Sequence, residues 1–481
     1  MSMNANIVVR LQAQAMRTPA APAIISDNQV LNFEQARFCA GVIAAHLKRQ
    51  GVEPGQHVGV AMGQNSLHLL VLWAVAQIGA VSVPLHPAVP ADRRLAAARK
   101  FAVAHVVSGR EDMALPGLHF IGLGNLEFGP LSSVDHEVAP LAADAGFRVM
   151  MSSGTSGDPK GMMLTHGLMQ LRGTMKEELC HPTHRVVPMD LNFVAGFRLA
   201  VHALMHGASV VLPRSLQAQQ FLADVIRFGS THLHLSPAQA RELVDAATAP
   251  GLHCPSLLSV RIGGGLLPPP LLRRLRERIC PQVSICYAVT EMSWISYAPA
   301  ELLEQYPASA GRPCAWAEVE IVSDETGETL PKGAIGRLRV RSAHGVTGYI
   351  NDEAQTRSHF KNGWFYTDDL GYVDADGLLY IEGRTDETLN IDGQKVNVND
   401  LEAVLGAHPG VADAGCFVGS DALGHPALTA AVVLRPHASL EEVRRYASSR
   451  LGPLTPTQFL VVDAIPRTQE TRKLKRSALA Q

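Results

Sequence analysis

The sequence has few of the features that mark secreted, zinc-binding or nucleic-acid-binding proteins. Its seven cysteines are odd in number and scattered over 481 residues, and no two form a C-x-x-C pair, which argues against a disulfide framework and a cysteine zinc motif. Lys and Arg number 42 against 44 Asp and Glu, so the chain lacks the basic field that binds a phosphate backbone. We therefore expect a reducing, cytoplasmic location and no nucleic-acid partner.

Long apolar runs are also missing. The most apolar stretch, residues 69–84, is broken by Gly79 and Ser82 and is too short to span a bilayer as a helix. The N-terminal segment contains Arg10 and Arg17 but no continuous apolar stretch of the signal-peptide kind. We expect no membrane span, and we interpret residues 69–84 as a buried helix that leads into a buried strand.

What the sequence does contain is ample apolar material, 47% of its residues, in alternating helix and strand patterns. This alternation predicts an α/β architecture with mostly parallel strands. Predicted helices cover residues 31–50, 66–78, 91–101, 217–228 and 237–246, and predicted strands cover residues 58–60, 103–107, 147–151, 207–212, 231–235 and 257–262.

From about residue 318 the pattern changes to alternating residues with frequent turn signals, which is typical of a β-rich segment. A smaller unit with both helices and strands follows residue 384. We predict a large domain of mixed α/β sheets over residues 1–384, with a β-rich subdomain over about 318–384, and a small α+β C-terminal domain over 385–481.

The densest chemical signal follows the predicted strand at residues 147–151. It consists of Ser152, Ser153, Gly154, Thr155, Ser156, Gly157 and Lys160. Backbone N–H groups, hydroxyls and an ammonium in one short loop can surround phosphate oxygens, which favours a triphosphate ligand. Because Lys160 follows a proline and precedes Gly161, the loop is not a Walker A motif. A flexible Ser/Gly linker is the alternative from composition alone.

This loop closely resembles the phosphate loop of the adenylate-forming superfamily, which includes acyl-CoA synthetases, adenylation domains and luciferases. The other motifs of that superfamily recur in the same order along the chain. Residues 287–291 resemble its Tyr-Gly-x-Thr-Glu motif, with Ala288 in place of glycine. The resemblance implies that Tyr287 stacks on adenine with Ala288 in the same site, that Thr290 holds the α-phosphate, and that Glu291 binds magnesium.

Two further segments extend the nucleotide site that the resemblance implies. Gly264 and Gly265 resemble the glycine turn that contacts adenine. Residues 363–384 resemble the segments that bind ribose, which places Asp369 on the two hydroxyls and Arg384 as a second contact. Tyr380, in the same segment, is also assigned to nucleotide binding.

The C-terminal residues complete the resemblance. Asp386 matches the hinge about which the small domain rotates, so the resemblance implies a mobile C-terminal domain. Gly393 and Lys395 belong to a segment like the loop that meets pantetheine during thioester formation, although such a glycine is also typical of a hairpin turn. Lys473 takes the position of the catalytic lysine if one residue is inserted, and Arg472 takes it otherwise. A solvated basic tail is the alternative.

The resemblance implies an AMP-forming acid–thiol ligase. Such an enzyme uses ATP to convert a carboxylic acid into an acyl adenylate with release of pyrophosphate, and then transfers the acyl group to a thiol of CoA or of a phosphopantetheinyl carrier protein. Lys473, Thr155 and Glu291 would be catalytic, with ATP and Mg²⁺ as cofactors. A nucleotide-binding homologue without catalysis and a luciferase-like enzyme that oxygenates the adenylate are the alternatives.

The acid is expected to contact Asn192, Phe193, Val194 and Val289. Val194 falls where relatives that activate amino acids keep an aspartate for the α-ammonium group, so an α-amino acid is disfavoured. Asn192 and Phe193 belong to a segment that resembles the motif of enzymes activating aryl acids, with Leu191 in place of histidine. A pocket for a short or medium aliphatic acid is the alternative.

Overall fold

A computed structural model describes residues 4–27, 29–128, 136–152, 160–173, 180–247, 254–384, 388–391, 394–420, 426–467, 474 and 476–479. In these ranges the chain forms five β-sheets of nine, six, five, three and two strands. The two largest are mixed sheets with helices against them, as the alternation of helix and strand patterns predicts.

The part of the chain before residue 314 forms the nine- and six-stranded sheets. Its helices are α1 (Val8–Arg17), α2 (Phe33–Arg49), α3 (Ser66–Ile78), α4 (Ala91–Lys100), α5 (His166–Arg172), α6 (Val194–Met205), α7 (Ala218–Arg227), α8 (Pro237–Ala246), α9 (Pro269–Arg278) and α10 (Ala300–Gln305). Its strands are β1 (Pro22–Ser26), β2 (Gln29–Asn32), β3 (His57–Val60), β4 (Val81–Pro84), β5 (Val103–Ser108), β6 (His119–Gly122), β7 (Gly146–Ser152), β8 (Lys160–Thr165), β9 (Arg185–Val187), β10 (Ser209–Leu212), β11 (His232–Leu235), β12 (Ser259–Gly263), β13 (Val283–Val289), β14 (Ser293–Ala298) and β15 (Arg312–Pro313).

The nine-stranded sheet has the order β15-β14-β13-β12-β11-β9-β10-β1-β2, and the six-stranded sheet has the order β6-β5-β3-β4-β7-β8. The central strands of both are parallel, and antiparallel pairs occur only at the edges, at β13 to β15, β1 with β2, and β7 with β8. Parallel strands joined by helices place their carboxyl ends at one edge, where ligands of α/β proteins bind.

The predicted buried helix and strand in residues 69–84 are confirmed. Helix α3 begins where the side chain of Asn65 accepts a hydrogen bond from the backbone of His68, and it ends at Gly79 in the left-handed conformation, with φ of +86°. Its residues from position 68 onward are all buried, as is β4. A helix that is apolar on every side is stable only inside the protein.

Some predicted boundaries are wrong by one or two residues. Helix α2 begins at Phe33 rather than at Leu31, because Asn32 caps it and residues 29–32 form strand β2 instead. Strand β10 begins at Ser209 rather than at Gly207, because Gly207 has φ of +82° and belongs to the turn that follows α6.

The β-rich subdomain of the predicted fold class is present as a five-stranded sheet that begins at Ala317 and ends at Arg384. The five strands of the sheet are β16 (Ala317–Val322), β17 (Gly336–Ser342), β18 (Phe360–Lys361), β19 (Trp364–Val373) and β20 (Leu379–Arg384). Helix α11 (Glu353–His359) lies between β17 and β18 in the chain. The strands follow the order β16-β17-β19-β18, and β20 pairs with β19, all antiparallel.

The C-terminal part is a small α+β unit. It contains β21 (Thr388–Ile391), β22 (Gln394–Asn397), α12 (Val398–Gly406), β23 (Val411–Ser420), β24 (Pro426–Leu434), α13 (Leu440–Leu451), β25 (Gln458–Val461) and α14 (Arg476–Leu479). Helices α12 and α13 cover the sheet β23-β24-β25 and bury a separate apolar core with it. The predicted fold class is therefore confirmed, whereas the domain boundary at 384/385 stays a prediction because residues 385–387 lie outside the described ranges.

Candidate active site

The end of strand β12 provides the predicted glycine turn. Gly263 is the last residue of β12, and Gly264 adopts the left-handed conformation, with φ of +79°. A β-carbon on Gly265 would make ordinary contact with Cγ of Pro237 at the start of α8, at 3.4 Å. Strand β12 pairs with β13, which carries Tyr287.

Tyr287, Asp369 and Arg384 meet although they are far apart in the sequence. The hydroxyl of Tyr287 donates a hydrogen bond to Oδ2 of Asp369 at 2.5 Å. Asp369 on β19 and Arg384 on β20 are register partners, and Nη1 of Arg384 lies 3.5 Å from Oδ1 of Asp369. Burial and the Asp369 carboxylate raise the pKa of Tyr287 well above its ordinary value, so the phenol stays a donor. The structure thus brings together the predicted adenine and ribose contacts.

Asp368, which precedes the predicted ribose contact Asp369, lies against two arginines and a histidine. Its carboxylate lies 3.4 Å from Nε2 of His359, 3.3 Å from Nη2 of Arg337 and 3.5 Å from Nη2 of Arg384. The hydrogen bond from His359, with Arg384 and Arg337, lowers the pKa of the Asp368 carboxyl against the opposing effect of burial. Arg384 therefore contacts both carboxylates, with Nη1 near Asp369 and Nη2 near Asp368.

Tyr380 is not brought to this cluster. Its ring stacks on Tyr372, with centroids 4.8 Å apart and planes 7° from parallel. It pairs with Tyr372 in the ladder, four residues along β20 from Arg384, which corresponds to about 13 Å in a strand. The resemblance assigned Tyr380 to the nucleotide site because it lies in the segment that resembles the ribose-binding one. Its distance from Arg384 along β20 places it outside the cluster.

The phosphate loop is a connection between antiparallel strands β7 and β8. Ser152 ends β7 and pairs with Lys160, which begins β8, whereas the predicted residues Ser153, Gly154, Thr155, Ser156 and Gly157 lie outside the described ranges. A β-carbon on Gly161 would lie 2.1 Å from the ring of Phe101, so only glycine fits there. The carbonyl of Gly161 accepts a hydrogen bond from the backbone N–H of Ile350 at 2.7 Å.

Tyr349 links the phosphate-loop lysine to the predicted magnesium ligand, and the sequence analysis missed it. Its hydroxyl donates to Oε1 of Glu291 at 2.8 Å, and Nζ of Lys160 lies 5.4 Å from the centre of its ring. The three residues come from separate strands and loops, and Tyr349 has no motif of its own in the sequence. Only the fold reveals the link.

Glu291 fits the role of a magnesium ligand. It is 9% exposed, and in the described part of the chain no Lys, Arg or His forms an ion pair with it. Burial raises the pKa of its carboxyl, and the hydrogen bond from Tyr349 opposes that rise. Magnesium is usually held by one or two carboxylates together with substrate phosphates, so one buried carboxylate beside a phosphate loop suits it. Thr290 precedes it, half-buried in the turn between β13 and β14.

The predicted acid-binding residues lie at the start of α6 and at the end of β13. Phe193 is the N-cap of α6 and Val194 is its first residue, while Val289 ends β13 and Ala288 beside it pairs with Trp294 of β14.

The side-chain amide nitrogen of Asn192 is used by hydrogen bonds within the protein. Nδ2 of Asn192 donates to Oδ1 of Asp190 and to the carbonyl of Met62, at 2.9 and 3.1 Å. Its Oδ1 is buried and accepts no hydrogen bond from the residues that the structure describes, so this oxygen could accept one from another molecule.

A buried polar network holds the segment that carries these residues, and sequence analysis did not find it. The carboxylate of Asp190 accepts from the backbone of Asn192 at 2.8 Å and lies 3.5 Å from Nε2 of His86. Nη2 of Arg148 on β7 donates to the carbonyl of Leu191 at 3.1 Å. Burial acts to raise the pKa of Asp190, but the bonds from His86 and Asn192 outweigh it and lower that pKa. The network ties strand β7 to the acid-binding segment.

The C-terminal residues of the predicted site are only partly within the described ranges. Lys473, Arg472, Asp386 and Gly393 lie outside them, and Lys395 lies on strand β22. Leu474 lies within the described ranges and packs on the small unit. Its Cδ1 is so near Gly415 that a β-carbon there would lie 2.3 Å from it.

Across the described residues, none of the helices combines the length and apolar character needed to cross a bilayer. The two mixed sheets, the glycine turn after β12 and the cluster of Tyr287, Asp369 and Arg384 are the features of an α/β nucleotide-binding protein, here with a small C-terminal unit.

The chain belongs to the AMP-binding enzyme family. The sequence model of that family matches residues 11–350, and the model of the AMP-binding enzyme C-terminal domain matches residues 400–472. A 2-succinylbenzoate–CoA ligase of Bacillus cereus is 27% identical over 480 residues, which is 97% of this chain and 96% of the relative.

Solved structures show the same fold. The o-succinylbenzoate CoA synthetase of Bacillus subtilis, in complex with its acyl-adenylate intermediate, is 25% identical and has a TM-score of 0.86 over 98% of each chain. The same synthetase with ATP and magnesium ion is 25% identical and has a TM-score of 0.85, over 98% of this chain and 99% of that chain. These findings confirm the predicted superfamily, the enzyme class of AMP-forming acid–thiol ligase, and the cofactors ATP, magnesium ion and CoA at the level of the family.

Proposed function

We propose that this chain activates a carboxylic acid with ATP, releasing pyrophosphate, and then transfers the acyl group to the thiol of CoA. The observation that supports this most directly is the meeting of Tyr287, Asp369 and Arg384. Lys160 is linked through the ring of Tyr349 to Glu291, which lies four residues after Tyr287 in the chain. A phenol, a carboxylate and a guanidinium suit a nucleoside, whereas a hydroxyl-rich loop with a lysine suits its phosphates.

In the first step a carboxylate oxygen of the acid attacks the α-phosphorus of ATP. A carboxyl oxygen–phosphorus bond forms, the bond from the α-phosphorus to the bridging oxygen breaks, and pyrophosphate leaves. Both reactants are anions, so charge neutralisation dominates the barrier. Lys160 and the hydroxyls of Thr155, Ser153 and Ser156 would bind the phosphates, and Lys473 would meet the charge that develops on the α-phosphate.

Glu291 would hold the magnesium ion, with Tyr349 orienting its carboxylate. When bound, that ion supplies Lewis-acid neutralisation of phosphate charge. Thr290, next to Glu291, would contact the α-phosphate. Gly264, Gly265 and Ala288 would form the wall against adenine, where small residues let the backbone approach a flat base closely.

In the second step a thiol sulfur attacks the carbonyl carbon of the adenylate. A carbon–sulfur bond forms, the carbon–oxygen bond to the phosphate breaks, and AMP leaves while the thiol loses its proton. We propose CoA as the thiol because the curated relatives are named as CoA ligases. Gly393 and Lys395 would lie along the pantetheine arm after rotation about Asp386. A separate carrier protein presents the same arm and is the other candidate acceptor.

For the acid we propose an aryl carboxylic acid rather than an α-amino acid. The relatives are named for 2-succinylbenzoate, an aryl acid, which supports this choice. Val194, at the first turn of α6, offers no carboxylate to an α-ammonium group. The ring centre of Phe193 lies 6.3 Å from that of His86, so this segment carries flat side chains that would suit an aryl ring.

We also propose that the protein works in the cytoplasm without a nucleic-acid partner. Among the described residues, which include all seven cysteines, no disulfide is formed, and this suits a reducing compartment. The formal charge of −2 gives no attraction to a phosphate backbone.

The experiment is release of pyrophosphate with ATP and Mg²⁺ across aryl, short-chain, long-chain and amino acids, with no thiol present. We expect release with an aryl acid, and formation of its thioester once CoA is added. Adenylation followed by transfer only to a phosphopantetheinyl protein would identify a carrier protein, and not CoA, as the acceptor. Formation of carbon dioxide or light in the presence of oxygen would indicate a luciferase-like reaction. Tight ATP binding with no pyrophosphate from any acid would contradict the proposal.

A further inference from the structure

The short helix α11 connects the segment that carries Tyr349 to the hairpin of β18 and β19. Its start is capped by Asp352, whose side chain accepts a hydrogen bond from the backbone of Gln355 at 3.0 Å. The hydroxyl oxygen of Thr356 accepts from the backbone N–H of Tyr349 at 2.9 Å, and the hydroxyl donates to the carbonyl of Asp352 at 2.8 Å. The helix is therefore fixed to the Tyr349 segment, and its last residue is His359.

The imidazole of His359 is buried among aromatic rings. Its plane lies 22° from that of Phe365, with ring centres 6.1 Å apart, and the ring of Tyr349 meets it edge-on at 5.9 Å. Phe360 packs against both of these rings, at 4.9 Å from Phe365 and 5.7 Å from Tyr349. Packing of this density restricts rotation of the imidazole, so the directions of its two nitrogens are set by the fold.

One ring nitrogen of His359, Nδ1, faces hydrogen-bond acceptors. It lies 3.1 Å from the carbonyl oxygen of Gln355 and 2.7 Å from Oγ of Ser358. The hydroxyl of Ser358 donates its own proton to the same carbonyl at 2.9 Å, which leaves its oxygen to accept from the ring. Because the carbonyl cannot donate, this network assigns a proton to Nδ1.

The other ring nitrogen, Nε2, faces the carboxylate of Asp368. It lies 3.4 Å from Oδ1 of Asp368, and the exposed fractions of the two side chains are 11% and 31%. With a proton on Nδ1, the imidazole donates to this carboxylate as an imidazolium, so the contact is an ion pair. The same carboxylate lies 3.5 Å from Nη2 of Arg384. His359 and Arg384 are therefore two donors that share one carboxylate.

Arg384 connects this ion pair to the cluster that the proposed function assigns to the nucleoside. Its Nη1 lies 3.5 Å from Oδ1 of Asp369, whose Oδ2 accepts from the hydroxyl of Tyr287 at 2.5 Å. The guanidinium thus has one carboxylate at each of its two terminal nitrogens. Because a guanidinium is planar and rigid, its orientation depends on the positions of both carboxylates. The position of Asp368 depends in turn on His359.

We propose that His359 is a positioning residue of the nucleotide site: it holds the carboxylate of Asp368, which holds the guanidinium of Arg384 in the orientation that meets the ribose of ATP. The inference rests on the proposed function, which assigns Asp369 and Arg384 to the ribose. His359 acts through Asp368 and does not itself touch the nucleotide. Groups that bind a ligand need such support, because a displacement of about 1 Å is enough to weaken their effect strongly.

The test compares ATP with 3′-deoxy-ATP, which lacks one of the two ribose hydroxyls. Pyrophosphate release gives kcat/KM for each nucleotide, and calorimetry gives the binding constant of each in the presence of Mg²⁺. In His359→Leu we expect the KM for ATP to rise by about 10-fold and the preference for ATP over 3′-deoxy-ATP to fall by about 10-fold, the effect of losing a hydrogen bond to a charged group. The KM for the acid should change little.

Further variants assign the effect to the contact between His359 and Asp368. The amide of His359→Gln can donate to the carboxylate, so this variant should restore part of the preference for ATP. Asp368→Asn, at a partly exposed position that tolerates substitution, should act in the same direction as His359→Leu, and the double variant should be little worse than either one. The control is His105→Leu, which removes an equally buried histidine that contacts His119 in the six-stranded sheet.

The outcomes separate this inference from the proposed function. If His359→Leu and Asp368→Asn keep the wild-type KM for ATP and its preference over 3′-deoxy-ATP, the inference is contradicted while adenylation stands. If the KM values for ATP and acid rise together and the preference is kept, His359 serves general stability, and the inference is again contradicted. If no acid releases pyrophosphate, the proposed function fails. Calorimetry then decides on His359 alone: a preference for ATP that His359→Leu removes supports its role, and an unchanged preference contradicts it.

Discussion

Tyr349 shows how a residue with no sequence motif can belong to the site. It orients a predicted metal ligand, Glu291, through one hydrogen bond, and it lies under the ammonium of Lys160. A residue that holds a metal-binding carboxylate acts through that carboxylate and is a positioning residue. The sequence could not reveal it, because the contact joins positions 58 residues apart.

Removing this hydroxyl should weaken magnesium binding more than nucleotide binding. In Tyr349→Phe we expect the half-saturating Mg²⁺ concentration for pyrophosphate release to rise by about 10-fold or more, which is typical for loss of a group that orients a metal ligand. The measurement is a Mg²⁺ titration at saturating ATP. Tyr372→Phe, on a ring that stacks on Tyr380 away from the site, is the control and should leave the titration unchanged.

The catalytic lysine can be assigned by a pair of substitutions. We expect Lys473→Ala to lower adenylation by about 10²-fold or more, the effect of losing a positioned donor to transition-state charge. Arg472→Ala is the matched control and should retain most of the activity. The measurement is pyrophosphate release without thiol, and collapse in Arg472→Ala with little change in Lys473→Ala would reverse the assignment.

At this scale the sequence was informative where the motif residues are close together in the chain. The meeting of Tyr287 with Asp369 and Arg384 could be predicted because each of them belongs to a short, specific pattern. Arg148, Asp190 and His86 could not, since each is an ordinary residue of its own element and their meeting depends on how β7 packs against the segment before α6.

At the scale of elements, the start of α6 depends on one glycine. A β-carbon on Gly196 would lie 2.1 Å from the carbonyl oxygen of Asp190 and 2.3 Å from that of Met189. Both contacts are with backbone, which cannot rotate away as a side chain does. The close approach of α6 to the preceding segment therefore requires glycine, and it sets the position of Asn192 and Phe193.

We accordingly expect Gly196→Ala to raise the KM for the acid by about 10-fold or more while the KM for ATP changes little, because small displacements of positioning elements have large kinetic effects. Steady-state pyrophosphate release at varied acid and varied ATP measures the two constants. The control is Gly406→Ala in α12, where a β-carbon would meet nothing within 4 Å. An equal rise in both constants would show that the glycine serves general stability instead.

Elements with strong local signals were predicted well, and those that depend on distant pairing were not. Helix α3 and strand β4 follow from a continuous apolar run between a capping asparagine and a left-handed glycine. By contrast, the hairpin β1–β2 joins the large sheet through β10, more than 180 residues later in the chain. No pattern within residues 22–32 indicates that partner, and the helix predicted from residue 31 overlapped the hairpin for this reason.

At the scale of the whole molecule, two weak charge contacts are among those that join the small unit to the large part within the described residues. Between α8 and the small unit, Arg241 lies 3.9 Å from Asp413, and Arg435 lies 3.9 Å from Asp245. All four side chains are partly exposed, and exposed pairs of this kind contribute about 0–1 kcal/mol each. An interface held in this way suits the rotation about Asp386 that the proposed function requires.

The molecule also buries several neutral histidines, which makes its stability depend on pH. Burial, followed by the nearby charge of Arg148, lowers the pKa of His68 to about 3. Burial lowers the pKa of His166 to about 4, and burial with His184 and Arg261 lowers that of His232 to about 3. An unfolded chain titrates these groups near the ordinary value of 6.5. Between the lowered pKa of each histidine in the folded state and its ordinary value, the unfolded state binds more protons than the folded state. The free energy of unfolding therefore falls as the pH falls through this range.

We therefore expect the free energy of unfolding to be largest above pH 6.5 and to decline toward pH 4, at about 1.4 kcal/mol per pH unit for each such histidine. Urea unfolding at several pH values measures this slope. The His68→Gln variant lacks one of these buried histidines. The slope of its unfolding free energy against pH should therefore be smaller by the contribution of one histidine. A stability that is constant, or rises, between pH 6.5 and 4 would contradict this account of the buried histidines.

The central claim is that the acid is activated by bonding its own oxygen to the α-phosphorus of ATP. The most direct test uses an acid labelled with oxygen-18 in its carboxylate, with ATP, Mg²⁺ and CoA, and mass spectrometry of the products. The account predicts AMP that carries one labelled oxygen, together with unlabelled pyrophosphate and the acyl-CoA thioester. Unlabelled AMP, or ADP with labelled inorganic phosphate, would contradict it.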